Sequence, residues 1–198
     1  MPRVTVVRTG TANLASVAAA LERGGARVEV TANLASVAAA DRLVLPGVGS
    51  FGAVARSLRG SGLAGTLVRR LADGRPVLAV CLGLQLLAAA SEEDSGVPGL
   101  GLIDATVTRF APGRRVPQLG WNRVSAGPGC RLLADGAAYF ANSYKLDRVP
   151  AGWSGATADH GGSFVAALER GPVLACQFHP ELSGAWGQAL LERWLEVA

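Results

Sequence analysis

Cys81 has the local surroundings of a catalytic nucleophile. It stands between an apolar run at residues 77–80, typical of a buried strand, and an apolar segment at residues 82–90 with helical composition. At a sharp turn from a strand into a helix, the middle side chain projects from the carboxyl edge of the sheet. Such a turn requires small neighbours, and Ala79 and Gly83 are small. Cys81 is therefore a candidate nucleophile, with a buried, unreactive thiol as the alternative.

His179 and Glu181 supply the partners that a cysteine nucleophile needs. They follow a strand predicted at residues 173–176. The strand ends that carry function share one edge of a parallel sheet, so we expect His179 to meet Cys81. The imidazole can take and return the thiol proton, and a carboxylate two residues later can hold the ring in one tautomer. The pattern predicts a nucleophile, a base and an orienting acid in the order Cys81, His179, Glu181.

Three motifs together resemble those of the class I, or triad, glutamine amidotransferases. They are the elbow at residues 80–87, the glycine-rich loop at residues 45–52 and Gln-Phe-His-Pro-Glu at residues 177–181. Three further segments match less specific motifs. They resemble one branch of that family, the glutaminase subunits of imidazole glycerol phosphate synthase in histidine biosynthesis, and they lie at residues 10–17, 117–122 and 139–144. The resemblance covers nearly the whole chain in order, and it implies an enzyme that releases ammonia from glutamine.

The resemblance also implies roles for residues around the triad. Cys81 would attack the carboxamide of L-glutamine, and the oxyanion would be held by backbone amides at Leu82, Val48 and Gly49. The substrate-binding set implied by the family is Gly47, Gln85, Ser143 and Tyr144. We expect this chemistry to need no metal and no organic cofactor.

A partner subunit follows from the same resemblance. The branch passes ammonia, shielded from water, to a (β/α)8-barrel cyclase subunit, with which this chain would form a heterodimer. Trp121 and Asn122 lie in the segment that faces the partner in that branch, and an exposed tryptophan suits an interface anchor. This chain departs from the usual residues of the branch at positions that bear on partner signalling and contact: Arg8, Thr9, Gln118, Asn142 and Leu182.

Three other functions fit parts of the pattern. A glutaminase subunit of another class I enzyme, such as pyridoxal phosphate synthase, shares the triad, but the Gly-Trp-Asn segment at residues 120–122 argues against it. A catalytically silent docking subunit would keep the fold and have an unreactive Cys81. A general cysteine hydrolase would turn over esters or peptides without a partner.

The alternation of short strands with helices predicts an α/β protein with a mostly parallel central sheet, flanking helices and an added antiparallel β portion. We expect one glutamine amidotransferase domain over residues 1–198. Helices are predicted at residues 13–23, 53–71, 82–90 and 184–197. Strands are predicted at residues 4–7, 27–30, 42–45, 77–80, 105–110, 123–125, 137–141, 155–158, 164–168 and 173–176.

Composition argues against nucleic acid and membranes as partners. The net charge is +4, but the basic residues stand singly or in pairs without interleaved aromatics. No apolar run reaches the roughly 18 residues of a membrane span, and the first residues do not resemble a signal peptide, so we expect a cytoplasmic protein. Cys130 and Cys176 lack metal-ligand spacing, and we expect them to be reduced packing residues without structural zinc.

One ten-residue segment occurs twice. Residues 11–20 and 31–40 are identical, and two copies are too few for a repeat architecture. The first copy fits the branch pattern, whereas the second fills a short connection. A local duplication and an error in the recorded sequence are both open explanations, so no site residue is assigned within residues 31–40.

Overall fold

The computed structural model describes residues 1–9 and 13–197, so residues 10–12 of the branch motif lie outside it. Its strands, in chain order, are β1 (Arg3–Val7), β2 (Arg27–Thr31), β3 (Arg42–Gly47), β4 (Val77–Cys81), β5 (Ala88–Ser91), β6 (Ile103–Arg109), β7 (Gln118–Ala126), β8 (Gly136–Asn142), β9 (Tyr144–Lys145), β10 (Ser154–Asp159), β11 (Ser163–Arg170) and β12 (Val173–Cys176). Its helices are α1 (Leu14–Arg23), α2 (Leu34–Ala39), α3 (Phe51–Gly60), α4 (Leu63–Ala72), α5 (Leu82–Leu86) and α6 (Gly184–Glu196), with a 3-10 turn at Pro180–Leu182.

One large mixed sheet holds most of the strands. Its order is β2-β1-β3-β4-β12-β11-β10-β7-β8. The first five strands in that order are parallel, and the remaining four continue the same sheet with antiparallel pairing. Strands β5, β6 and β9 form a small separate sheet. The predicted fold class is confirmed, and the antiparallel portion extends the parallel sheet.

Strand β4 is apolar at every position because both faces of the sheet are covered. Val77 and Ala79 pack into the core on one side, whereas Leu78 and Val80 pack into the core on the other. Helices α1 and α6 cover one face, and α2, α3, α4 and α5 cover the opposite face. A strand between two apolar layers needs no alternation of polar and apolar residues. No helix within the described ranges is both long and apolar enough to cross a membrane.

Two helix predictions were wrong in extent. The helix predicted at residues 53–71 is divided into α3 and α4, because Gly62 adopts φ 77°, a left-handed conformation that ends a helical path. The helix predicted at residues 82–90 stops at Leu86, and β5 follows. Backbone N–H groups of the 99–102 loop donate to the carbonyls of residues 86–89, which a longer helix would have used itself.

Both copies of the repeated segment begin a helix at the same place, within the part of the chain that is described. The side-chain oxygen of Asn13 accepts from the Ser16 N–H at 3.3 Å and begins α1. In the second copy, Asn33 accepts from the Ser36 N–H at 3.0 Å and begins α2. Each copy therefore carries its own N-cap, the interaction that satisfies the free N–H groups of a first turn.

Gly83 lies where the backbone of a neighbouring strand leaves no room for a side chain. A Cβ at Gly83 would collide with the backbone carbonyl oxygen of Leu45 in β3, so α5 lies directly against that strand. We expect Gly83→Ala to lower the free energy of unfolding by about 1–3 kcal/mol or more, because a backbone atom cannot move aside cheaply. Gly60→Ala is the matched control, since a Cβ there would have no heavy atom within 4 Å. Urea unfolding of both variants measures the difference, and equal stabilities would contradict the close approach of α5 to β3.

Candidate active site

Cys81 is held in a strained conformation where β4 turns into α5. Its φ of 55° and ψ of −110° make it the one residue other than glycine with positive φ in the described ranges. Such a conformation costs on the order of 1–3 kcal/mol and persists only where the surroundings impose it. Strands β3 and β12 flank β4, with Gly47 of β3 opposite Cys81. The predicted elbow is therefore present, with the cysteine at the carboxyl edge of the sheet.

His179 follows β12, the neighbour of β4, and reaches the same edge. Its Nδ1 lies 2.9 Å from Glu181 Oε1, and both side chains are at least nine-tenths buried. The backbone fixes both residues, because the His179 N–H donates to the Tyr139 carbonyl at 2.9 Å and Glu181 lies on the 3-10 turn that begins at Pro180. The Ser183 hydroxyl donates to the His179 carbonyl at 2.6 Å. The 3-10 turn after His179, together with these hydrogen bonds, thus holds the imidazole ring beside Glu181.

The electrostatics around His179 favour the imidazolium. Burial lowers its pKa, but hydrogen bonds with Cys81 and Glu181 and the negative charge of both groups raise the pKa from 6.5 to about 10. Protonation of His179 therefore stabilises the folded protein below pH 6.5, and this contribution is lost as the pH rises to about 10. At neutral pH the site holds a protonated ring between a sulfur and a carboxylate.

A cavity of about 320 Å³ opens beside the thiol. It is lined by residues from the elbow, the glycine-rich loop, the ends of β8 and β12, and one polar loop: Val48, Gly49, Cys81, Leu82, Gln85, Glu93, Ala141, Asn142, Ser143, Tyr144 and His179. The structure thus brings together Cys81 and His179, the predicted oxyanion residues, and the predicted substrate residues other than Gly47. A cavity of this size suits a small amino acid.

Two predicted site residues lie behind the cavity wall. Glu181 does not line the cavity, but its carboxylate is bonded to the ring of His179, which does. This is the position expected of an orienting acid. Gly47 is paired with Cys81 across β3 and β4, and a Cβ there would lie 2.8 Å from Leu82 Cβ. Its position under the elbow indicates a packing requirement, because any side chain would displace Leu82.

The glycine-rich loop reaches the cavity in a defined conformation. Gly49 adopts φ 98°, which favours glycine. The next helix, α3, is anchored by Glu93, whose Oε2 accepts from the Phe51 N–H at 2.8 Å. Asp94 packs over Gly52, where a Cβ would collide with its carboxylate. These contacts hold the start of α3, directly after the loop that contains Val48 and Gly49.

Sequence reasoning missed Glu93, Ala141, Asn142 and Gln177. Glu93 lies in a polar loop without a motif, so nothing in its neighbours pointed to the cavity. Asn142 stood out only as a departure from the branch. Gln177 is the first residue of the Gln-Phe-His-Pro-Glu motif at residues 177–181, and its Nε2 is 3.8 Å from Cys81 Sγ. Its place at the head of that motif was the available signal.

The other two cysteines have a different environment. Burial is the main cause that raises the pKa of the Cys176 thiol well above its usual value. Burial, together with the charge of Glu169, also raises the pKa of Cys130. Both thiols pack against the core, and all three cysteines are free. Cys130 and Cys176 are thus poor nucleophiles. Within residues 1–9 and 13–197, no cluster of three or more His, Cys, Asp or Glu side chains has the geometry of a metal site.

Three exposed apolar side chains lie on β7 and on the turn after His179, and we refer to them as the apolar patch. It consists of Leu119, Trp121 and Leu182, whose exposed fractions are 65%, 60% and 43%. Trp121 packs edge to face on Tyr139, and the ring of Trp121 lies near Gly184. The backbone of Tyr139 forms a β-bridge with that of His179. Asn122 has its amide engaged internally, since its Nδ2 donates to the Asp159 carbonyl at 2.7 Å.

Residues that depart from the branch pattern take up distinct positions. The Thr9 hydroxyl is buried and donates to the carbonyl of Pro46, within the glycine-rich loop, at 3.3 Å, whereas Arg8 is exposed. Gln118 and Asn142 are buried register partners in β7 and β8. None of these substitutions alters the contact between His179 and Glu181.

Comparison with known proteins identifies relatives of this chain over nearly its whole length. The family model described as glutamine amidotransferase class-I matches residues 6–197. The chain is 45% identical to the imidazole glycerol phosphate synthase subunit HisH of Deinococcus radiodurans, over 96% of this chain and 91% of that protein. It is 38% identical to the chloroplastic imidazole glycerol phosphate synthase hisHF of Arabidopsis thaliana, over 97% of this chain and 34% of that protein.

A solved structure shares the fold. The chain superimposes on a crystal structure of a glutamine amidotransferase with a TM-score of 0.79 and 24% identity, over 98% of this chain and 97% of the other. The sequence matches are the more specific finding, because they extend over nearly the full length of HisH relatives. The chain therefore belongs to the class-I glutamine amidotransferase family and, within it, to the glutaminase subunits of imidazole glycerol phosphate synthase.

Proposed function

We propose that this chain hydrolyses L-glutamine to glutamate and ammonia with Cys81, His179 and Glu181 as its catalytic triad, and that it does so for histidine biosynthesis in the cytoplasm. The observation that carries the proposal is geometric. The elbow directs the Cys81 thiol into the cavity that His179 lines, and His179 is bonded to Glu181 at 2.9 Å. A nucleophile, a base and an orienting acid are thus arranged in one cavity of suitable size.

The reaction begins with the Cys81 thiolate paired with the His179 imidazolium. The sulfur attacks the carboxamide carbon, and backbone amides at Leu82, Val48 and Gly49 receive the oxyanion. His179 gives its proton to the leaving nitrogen, the C–N bond breaks, and ammonia departs from a glutamyl thioester. Neutral His179 then takes a proton from water, and the hydroxide attacks the thioester. Collapse of this second intermediate breaks the C–S bond, releases glutamate and restores the starting ion pair.

The proposed substrate contacts are polar residues of the cavity wall. Gln85, Ser143 and Tyr144 line it and would hold the α-amino and α-carboxylate groups of glutamine. Gln85 is itself fixed, because its Nε2 donates to the Tyr144 carbonyl at 3.0 Å. The fixed amide of Gln85 and the apolar side chain of Ala141 would favour one orientation of the substrate, with its carboxamide directed at the sulfur.

The proposed partner is a (β/α)8-barrel cyclase subunit, with which the chain forms a heterodimer. The hisHF relative supports this, since the chain matches only 34% of its length and the remainder leaves room for a second enzyme. The patch of Leu119, Trp121 and Leu182 is the candidate docking surface, with Asn122 at its border. Ammonia passes from the triad to the partner, which makes imidazole glycerol phosphate and an aminoimidazole carboxamide ribonucleotide from a phosphorylated ribulosyl substrate.

Replacing the nucleophile tests the proposed reaction directly. We expect Cys81→Ala to reduce glutamate release by about 10⁴-fold or more, because no other group can form the thioester. The assay uses the chain with its cyclase subunit and a nucleotide ligand of that subunit, and separately the chain alone. Cys130→Ala is the matched control, since this thiol lies outside the cavity, and it should retain wild-type turnover. Glutamine hydrolysis by Cys81→Ala would contradict the triad.

Glu181 contributes, after Cys81, to the raised pKa of His179 and thus to the alkaline limit of activity. In the wild type, we expect kcat/KM to fall as the pH rises through about 10, when His179 loses the proton that ammonia needs. Glu181→Gln removes a charge that raises this pKa, so the fall should begin at lower pH, and the maximal rate should drop on the order of 10²–10⁴-fold. Glutamate release between pH 6 and 10.5 measures both effects, with the exposed Glu22→Gln as control. An unchanged alkaline limb in Glu181→Gln would rule out the assigned coupling.

The apolar patch should govern affinity for the cyclase. Trp121→Ala is expected to weaken binding about 30-fold or more, since buried tryptophan anchors often contribute at least 2 kcal/mol. Leu182→Ala and Leu34→Ala form a matched pair, because both leucines are 43% exposed but Leu34 lies on α2, away from the patch. Calorimetric titration with the cyclase should show weaker binding for Leu182→Ala only. Wild-type affinity in both patch variants would place the partner elsewhere.

A further inference from the structure

Gln177 stands beside the nucleophile because of strand register. Cys176 of β12 is paired with Val80 of β4, so the next residues along each strand, Gln177 and Cys81, leave the sheet side by side. Gln177 is fully buried, and its Nε2 lies 3.8 Å from Cys81 Sγ. Its backbone N–H donates to the Ala166 carbonyl at 2.8 Å, which keeps the main chain in the sheet whatever the side chain does.

A second amide determines which way the Gln177 side chain faces. The Tyr144 carbonyl can only accept, so the Gln85 atom 3.0 Å from it must be the nitrogen Nε2. The same nitrogen lies 3.0 Å from Gln177, and the atom that faces it must therefore be the oxygen Oε1. The remaining Gln177 atom, which faces the sulfur, is then the amide nitrogen. The orientation follows from the hydrogen-bond network, which is how amide groups are assigned.

A buried N–H that points at sulfur distinguishes the two protonation states of Cys81. A thiol is a weak acceptor, whereas a thiolate is a strong one, so the bond to Gln177 is stronger after the proton leaves. The Ala141 carbonyl, 4.0 Å from Sγ, can accept a hydrogen bond from the thiol. It cannot donate a hydrogen bond to the thiolate. Within a cavity wall that excludes water, a donor with a fixed direction has a larger effect than it would in solvent.

We propose that Gln177 is a positioning residue that stabilises the attacking thiolate of Cys81 through its side-chain N–H, with Gln85 and the Tyr144 carbonyl fixing the direction of that bond. The proposal rests on the proposed glutaminase function, in which this thiolate is the nucleophile. A side chain that only filled space between β12 and β4 would not need two amide groups in series, because burying each amide is costly unless it is bonded.

The test is the pH dependence of alkylation of Cys81 by iodoacetamide, resolved from Cys130 and Cys176 by peptide mass spectrometry. Gln177→Met keeps the length of the side chain and removes the N–H, so the midpoint of the profile should move upward by about one to two pH units. Gln177→Glu keeps an acceptor for Gln85 and places a negative charge beside the sulfur. The midpoint of its alkylation profile should therefore move further upward. The rate at the high-pH plateau should stay near the wild-type value in both.

Gln188→Met on α6 is the matched control, because Gln188 donates to the exposed Glu192 and is remote from the cavity. Its profile should coincide with that of the wild type. A purely structural role for Gln177 would lower the plateau or the thermal midpoint of unfolding without moving the profile, and that outcome would overturn the proposal. Glutamine turnover by the wild type, measured in parallel, separates a failure here from a failure of the proposed function.

A measurement on the unaltered fold covers variants that do not fold. The side-chain amide protons of Gln177 in the ¹⁵N-labelled wild type should shift with pH at the midpoint found for Cys81 alkylation. The shift should be absent in Cys81→Ala. Amide resonances that are independent of pH in the wild type would refute the bond between Gln177 and the thiolate.

Discussion

The positive φ of Cys81 is the constraint on which the site depends. A strained elbow exists only where the neighbouring backbone leaves no alternative, and here α5 is pressed onto β3 so closely that Gly83 cannot carry a Cβ. The apolar layers on both faces of β4 hold the strand in place against that strain. The packed core thereby holds the buried Cys81 at the edge of the sheet, where it lines the cavity.

Strand order brings the remaining groups to this thiol. Strands β3 and β12 are the two neighbours of β4, and their ends supply the glycine-rich loop and His179. The antiparallel extension contributes the opposite wall, because β8 bridges back to His179 through Tyr139. Two kinds of pairing in one sheet therefore enclose the cavity. The parallel half positions Cys81 and His179, and the antiparallel half positions Ala141, Asn142 and the exposed Trp121.

The sequence predicts those parts of the structure that depend on local composition. The strand at Val173–Cys176 was predicted with its observed bounds, and Cys81 and His179 meet as expected, because uninterrupted apolar runs and parallel edges leave few alternatives. The end of α5 was not predictable, since carbonyls near Ala88 are taken by the distant 99–102 loop. Glu93 was missed for a related reason: its contact with the Phe51 N–H spans forty-two positions of the chain.

The repeated segment separates two parts of helix specification. Asn13 and Asn33 start α1 and α2 in the same way, because each side-chain oxygen accepts from the N–H three residues later. The start of each helix is therefore specified by the repeated residues themselves. The two helices nevertheless differ in length, because α1 continues into Arg23 and α2 stops at Ala39 before the chain enters β3. Termination is thus supplied by whatever follows. A ten-residue segment of this kind can start a helix between two strands without prescribing how far the helix runs.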